Sequence, residues 1–159
     1  MVSSIRILSR LFITLVVIIT VNESYGQVLT PVKWSFSFKS ISKSEAELIF
    51  TATIDKGWHL YSQDIPENGP IPTKFTFEKG MGFLPFGKIS EPVATEVFDK
   101  QFNMKVKYFG VVAEFRQKVK VMSAKPVEIK GTVEFMCCND ESCLPPTEVP
   151  FEFKLPASK

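Results

Sequence analysis

Apolar and polar residues alternate along most of this 159-residue chain once its first thirty positions are passed. In the stretch 32–38, Val32, Trp34, Phe36 and Phe38 fall on one face and Lys33, Ser35 and Ser37 on the other. The same period of two runs through 45–54, through 58–62 behind a Lys56-Gly57 turn, and through 73–78, 127–135 and 148–155. Segments 105–109 and 113–121 read as neighbouring strands. Such alternation marks strands with one face buried. No window sustains a helical period. Many short strands joined by Gly, Pro and Asn turns predict an all-β protein, an antiparallel β-sandwich of the immunoglobulin-like kind. Pro66, Pro70, Pro72, Pro85 and Pro92 predict a long irregular middle, and the segment 64–72 a constrained loop suited to flanking a site.

The N-terminus breaks the pattern. Arg6 and Arg10 precede an apolar run, Leu11 to Val21, which is interrupted only by Thr14 and Thr20. That length suits the core of a secretory signal and is short for a bilayer span. Cleavage is expected near Gly26, with 1–26 as signal peptide and 27–159 as one domain. The alternative is an uncleaved membrane anchor. No cysteine follows the run, so a lipid attachment there is excluded. The mature protein is therefore expected to be exported, in a compartment that permits disulfides.

Composition narrows the function classes. About 133 residues remain after cleavage, a single-domain length with enough surface to bury a core. Fifteen Phe against eight Gly fit an aromatic-rich β core. A net charge of +2 with scattered lysines gives no support for nucleic-acid binding. One histidine in the chain argues against a His-based metal site or a His-assisted hydrolase. That residue, His59, stands in a strand pattern with nothing in the sequence tying it to the cysteines. No metal or cofactor is expected.

The chemistry concentrates in Cys137-Cys138-Asn139-Asp140-Glu141-Ser142-Cys143-Leu144-Pro145-Pro146, which holds all three cysteines. Cys138 and Cys143 are separated by four residues, close enough to pair. A bond across so short a loop constrains the unfolded chain little and is a poor staple. It makes better sense as a bond that opens and closes. Adjacent cysteines rarely pair with each other. Alternation from Val133 and Phe135 turns Cys137 inward and Cys138 outward. That favours Cys138–Cys143 as the pair and Cys137 as a buried free thiol, although a bulge could reverse the facing. Asp140 and Glu141 tend to raise a nearby thiol pKa. Pro145-Pro146 stiffens the exit, so the cysteines sit between two strands at a hairpin end or a sandwich edge. A purely structural disulfide remains open on spacing alone.

The segment 133–153, with CNDESCLPPTEVPFEF, resembles the cysteine hairpin of the N-terminal periplasmic domain of the DsbD family of transmembrane thiol-disulfide reductases. Gly57-Trp58-His59-Leu60-Tyr61-Ser62-Gln63 is similar to that family's Gly-aromatic-x-Leu-Tyr strand. Glu96-Val97-Phe98-Asp99-Lys100 is similar to its cap segment. The resemblance implies an immunoglobulin-like sandwich and an electron relay from a membrane-embedded thiol reductase to periplasmic thioredoxin-like or disulfide isomerase proteins, with cytochrome c biogenesis among the processes served. It implies Cys143 as the exchange cysteine, Cys138 as its resolving partner, Phe98 as the cap over the sulfurs, and Tyr61 and His59 as lining residues. A five-residue spacing in some members selects Cys137 as an alternative resolving residue. Family members usually carry a membrane domain and a thioredoxin-like domain that this chain does not contain, so a separate membrane partner is expected. The expected function is an exported thiol-disulfide exchange domain. The alternative from another class is a non-catalytic β-sandwich adaptor with a structural disulfide.

Overall fold

The computed structural model describes residues 29–158. The apolar run from Leu11 to Val21 and the expected cleavage point near Gly26 lie outside the described residues. Eleven strands follow one another: β1 (Val32–Ser40), β2 (Glu45–Ile54), β3 (His59–Tyr61), β4 (Lys74–Phe77), β5 (Phe83–Ser90), β6 (Thr95–Asp99), β7 (Met104–Phe109), β8 (Val112–Val121), β9 (Val127–Phe135), β10 (Cys137–Cys138) and β11 (Thr147–Leu155). They make three antiparallel sheets, ordered β1-β2-β8-β5, β11-β9-β4 and β10-β3-β7-β6.

Alternation builds the core directly. On β2, Ala46, Leu48, Phe50, Ala52 and Ile54 are buried, and on β8 Ala113, Phe115, Val119 and Val121. β9 and β11 answer with Val127, Ile129, Val133, Phe135, Phe151, Phe153 and Leu155. Phe50 sits at the junction of the first two sheets. Its ring lies 4.6 Å from that of Phe75 on β4, and 5.0 and 5.1 Å from Phe151 and Phe153 on β11. Burying each such ring contributes about 2–3 kcal/mol, and the tilted and edge-on geometries add to it. Gln117 interrupts the apolar face of β8 but is not orphaned. Its amide donates to the carbonyls of Phe86 and Lys118, both at 2.8 Å.

Two expectations of chain order are corrected. β7 and β8 follow each other closely but do not pair. β8 lies between β2 and β5, while β7 lies between β3 and β6. The link through Gly110 and Val111 carries the chain from one sheet to another, and the Val111 carbonyl accepts from the Ile54 amide at 2.8 Å. Alternation reports which face is buried, not which neighbour is bonded. The middle of the chain is also less irregular than its prolines suggested, because Pro85 lies within β5. β5 is an edge strand, where a residue without an N–H is tolerated. Its register against β8 shifts between Phe86 and Ser90, around a Gly87 whose φ of +71° favours glycine.

This architecture delivers the cysteines to a junction. β9 and β11 pair continuously from Val127↔Leu155 to Phe135↔Thr147. The connection between them leaves that sheet, and β10 within it pairs with β3. The loop 64–72, expected to flank a site, packs Ile65 against the cluster of Tyr61, Val106 and Cys138, and its Asp64 is bonded to Lys107 at 2.5 Å.

Gly131 is the tightest point of the β9–β11 sheet. A Cβ there would lie 2.2 Å from the Thr76 carbonyl oxygen and 2.4 Å from Cζ of Phe151. Gly131→Ala is expected to lower stability by about 3 kcal/mol, read as a lower urea midpoint with an unchanged slope.

Candidate functional site

Cys138 and Cys143 form a disulfide, and Cys137 is a free, buried thiol. The backbone explains the pairing. The Asn139 amide donates to the Ser142 carbonyl at 2.9 Å, and the Leu144 amide to the Cys137 carbonyl at 3.0 Å. Cys138 and Cys143 lie between these bonds as an isolated antiparallel bridge, with Cα atoms 4.0 Å apart. This is the close, non-hydrogen-bonded position of an antiparallel pair. The turn itself is closed by one side chain. Asn139 Oδ1 accepts from the amides of Glu141 and Ser142 at 2.9 and 2.7 Å, as Asn does in Asx turns. The two sulfurs are therefore held together by bonds that do not involve sulfur.

The two adjacent cysteines enter different environments. Cys137 joins the main apolar core, and burial pushes its thiol up to about 11. Cys138 faces the other way but not into solvent, as its expected outward orientation had implied. It is 2% exposed and packs in a second cluster with Tyr61 and Val106 of its own sheet, against which Ile65, Phe102 and Met104 pack. Cys143 is only half-buried. An approaching group reaches Cys143 before Cys138.

A cavity of about 430 Å³ opens beside the pair, lined by β3, β7, the Cys138 loop and the segment from Val97 to Gln101. His59, which only the family resemblance connected to the cysteines, stands directly across from Cys138 in the β10–β3 register. Its ring lies 4.1 Å from that of Tyr108. Tyr61 is almost fully buried, and its hydroxyl donates to Asp99 Oδ2 at 2.8 Å. Burial first, then that hydrogen bond, raise the phenol well above its ordinary pKa, so it stays a proton donor. Asp99 Oδ1 in turn accepts from the amides of Gln101 and Phe102 at 2.8 and 3.3 Å. One carboxylate thus fastens the β6–β7 turn to a buried tyrosine. Asn103, with φ of +53°, completes that turn.

Phe98 lines the cavity and is 55% exposed. The residue of the same segment that touches sulfur is Gln101. Its Oε1 lies 3.1 Å from Cys143 Sγ, and its Nε2 donates to the Asn139 carbonyl at 3.0 Å. The structure therefore gathers Cys138, Tyr61, His59 and Phe98 around one cavity, joins Cys143 to it through Cys138 and Gln101, and leaves Cys137 on the far side of the strand. Asp99, Gln101 and Tyr108 were not singled out from sequence. Asp99-Lys100-Gln101 carries an Asx-turn signal that foretells the turn but not its contact with sulfur.

The family described as thiol:disulfide interchange protein DsbD, N-terminal, matches residues 26–155. No curated protein sequence matches the chain. Among solved structures, the reduced DsbD N-terminal domain of Neisseria meningitidis is similar at a TM-score of 0.54 and 14% identity, over 82% of this chain and 92% of that one. The N-terminal periplasmic domain of ScsB from Proteus mirabilis is similar at a TM-score of 0.60 and 12% identity, over 82% of this chain and 51% of that one. The expected immunoglobulin-like, all-β fold is borne out by the antiparallel sheets and by these likenesses. With the family match spanning residues 26–155 of 159, the chain belongs to the DsbD N-terminal family of thiol:disulfide interchange proteins.

Proposed function

We propose that this domain carries electrons between proteins through the Cys138–Cys143 pair, in an exported, periplasmic setting after removal of residues 1–26, with 27–159 as the working domain. One observation supports the reading above the others. The turn that holds the two sulfurs together is closed by backbone and Asn139 hydrogen bonds, so it stays assembled when the S–S bond is broken. A six-residue loop also yields only about 2 kcal/mol of stabilisation when closed. The bond thus contributes little to the fold for a disulfide.

The exchange runs in two steps. The Cys143 thiolate attacks one sulfur of a partner disulfide, whose S–S bond breaks, and the departing partner sulfur takes up a proton. The Cys138 thiolate then attacks Cys143 Sγ of the mixed disulfide. The intramolecular bond forms, and the second partner sulfur leaves and is protonated. Two electrons and two protons pass from the dithiol to the partner, which emerges as a dithiol. Cys143 is the entering sulfur because it is the accessible one, and Cys138 resolves because it stays within bonding distance on the buried side. Cys137 faces the apolar core with a raised pKa and takes no part. The partner that receives electrons is a periplasmic thioredoxin-like or disulfide isomerase protein, and a membrane-embedded thiol reductase regenerates the dithiol.

Removing the resolving thiol should trap the first step. Cys138→Ala is expected to accumulate mixed disulfides through Cys143 with exported proteins, seen as reductant-sensitive bands, and Cys137→Ala to turn over as the parent does. Absence of trapped species in the first variant would count against the scheme. Phe98→Ala is expected to speed alkylation of the reduced pair by a small reagent by about threefold or more, measured by mass over time. An unchanged rate removes Phe98 as a shield.

A further inference from the structure

We infer that Gln101 is a redox-sensitive latch: its side-chain amide, fixed by the Asn139 carbonyl, presents an acceptor to Cys143 that favours the protonated thiol and holds the β6–β7 turn over the reduced pair. The inference rests on the exchange reading above and adds to it a residue that positions the reacting sulfur.

The argument begins with which end of the amide faces which neighbour. A backbone carbonyl has no proton to give, so the group of Gln101 that meets the Asn139 oxygen must be its NH₂. That bond is 3.0 Å long. The carbonyl Oε1 is then left facing Cys143 Sγ at 3.1 Å. Turning the amide over would set two carbonyl oxygens against each other, so the orientation is chosen by Asn139 and not by the sulfur. Asn139 is in turn held by the turn it closes, through the amides of Glu141 and Ser142.

The Gln101 backbone is held just as firmly from the other side. Its amide donates to Asp99 Oδ1 at 2.8 Å, and Asp99 Oδ2 accepts from the buried Tyr61 hydroxyl. A continuous chain of hydrogen bonds thus runs from a nearly inaccessible tyrosine, through Asp99, to the residue resting on the exchange sulfur.

What Oε1 does depends on the state of that sulfur. In the disulfide, Sγ carries no proton and the contact is not a hydrogen bond. After reduction, the Cys143 thiol can donate to Oε1 and the contact becomes one. In the thiolate, an acceptor would oppose negative charge, and the interaction turns unfavourable. Gln101 therefore stabilises one of the three states, the neutral thiol. It favours reduction over the disulfide and at the same time keeps the reduced sulfur in its unreactive form, since the thiolate is the nucleophile. A partner that docks at the cavity and displaces Gln101 removes the acceptor and releases the thiolate. Shielding by Phe98 is steric, whereas this restraint is electronic and is tied to the sulfur's own proton.

The two effects separate in one experiment. Gln101→Met keeps the length and bulk of the side chain and loses both amide bonds. Its pair, and that of the unaltered domain, are equilibrated in graded thiol buffers, alkylated and weighed intact. One neutral hydrogen bond lost from the reduced form is expected to shift the equilibrium toward the disulfide by about threefold, or about 14 mV for a two-electron couple. Alkylation of the reduced variant at neutral pH is expected to run about threefold faster. Gln101→Ala serves as the steric control and should match Gln101→Met in potential while reacting faster still. If Gln101→Met keeps the parent's potential and alkylation rate and only Gln101→Ala reacts faster, Gln101 is a passive cover and the latch is overturned. The exchange reading stands apart from this outcome, because it depends on the parent's absolute potential and not on the difference between variant and parent.

Discussion

Consecutive residues of a strand face opposite ways, and the site of this domain depends on that rule at Cys137 and Cys138. The strand direction set by β9 carries one cysteine into the aromatic core and its neighbour into the cavity between the cysteine turn and the β3-β7-β6 sheet. A shift of one residue would exchange them and place the pairing sulfur in the core. The register that prevents this is specified over nine residue pairs, from Val127↔Leu155 to Phe135↔Thr147, with one face of β9 buried throughout. Packing far from the sulfurs therefore decides which sulfur is chemically available.

A second constraint fixes how the sulfurs are covered. The β6–β7 hairpin is an edge of its sheet, and nothing in a short exposed hairpin by itself holds its turn in one place. Asp99 does so by accepting three hydrogen bonds, one from the buried Tyr61 and two from the turn's own amides. The turn is anchored to a group that cannot move without disturbing the core, yet its outer residues, Phe98 and Gln101, remain at the surface. A cover of this kind can be rigid at its root and displaceable at its tip, which suits a pair that is to meet docked partners and little else.

The long alternating strands were legible from sequence because each buries one face. β2, β4 and β9 lie within runs that the period of two marks, and β1, β8 and β11 overrun theirs by one or two residues. β5 escaped notice because Pro85, Gly87 and a register shift erase its period, features an edge strand tolerates. The separation of β7 from β8 was illegible for a different reason: alternation is a property of faces, and pairing is a property of edges. At the site, the Cys138–Cys143 contact and the inward turn of Cys137 follow from short-range spacing and period. The burial of Cys138 does not, since it depends on β3 arriving across from it. Gln101 lies in an Asx-turn signal that foretells the turn alone. Its contact with Cys143 joins residues 42 apart in the chain, and only the fold brings them together.

The central claim is that the Cys138–Cys143 bond is one that opens and closes in use. The most direct test is the reduction potential of the domain 27–159, set by thiol-buffer equilibration and read by intact mass, with digestion to identify the paired cysteines. A value above about −250 mV, in the range of proteins that exchange disulfides, is expected, with Cys138 paired to Cys143. A value below about −300 mV would mark a structural bond and contradict the claim, leaving a β-sandwich whose disulfide only fixes a loop for binding.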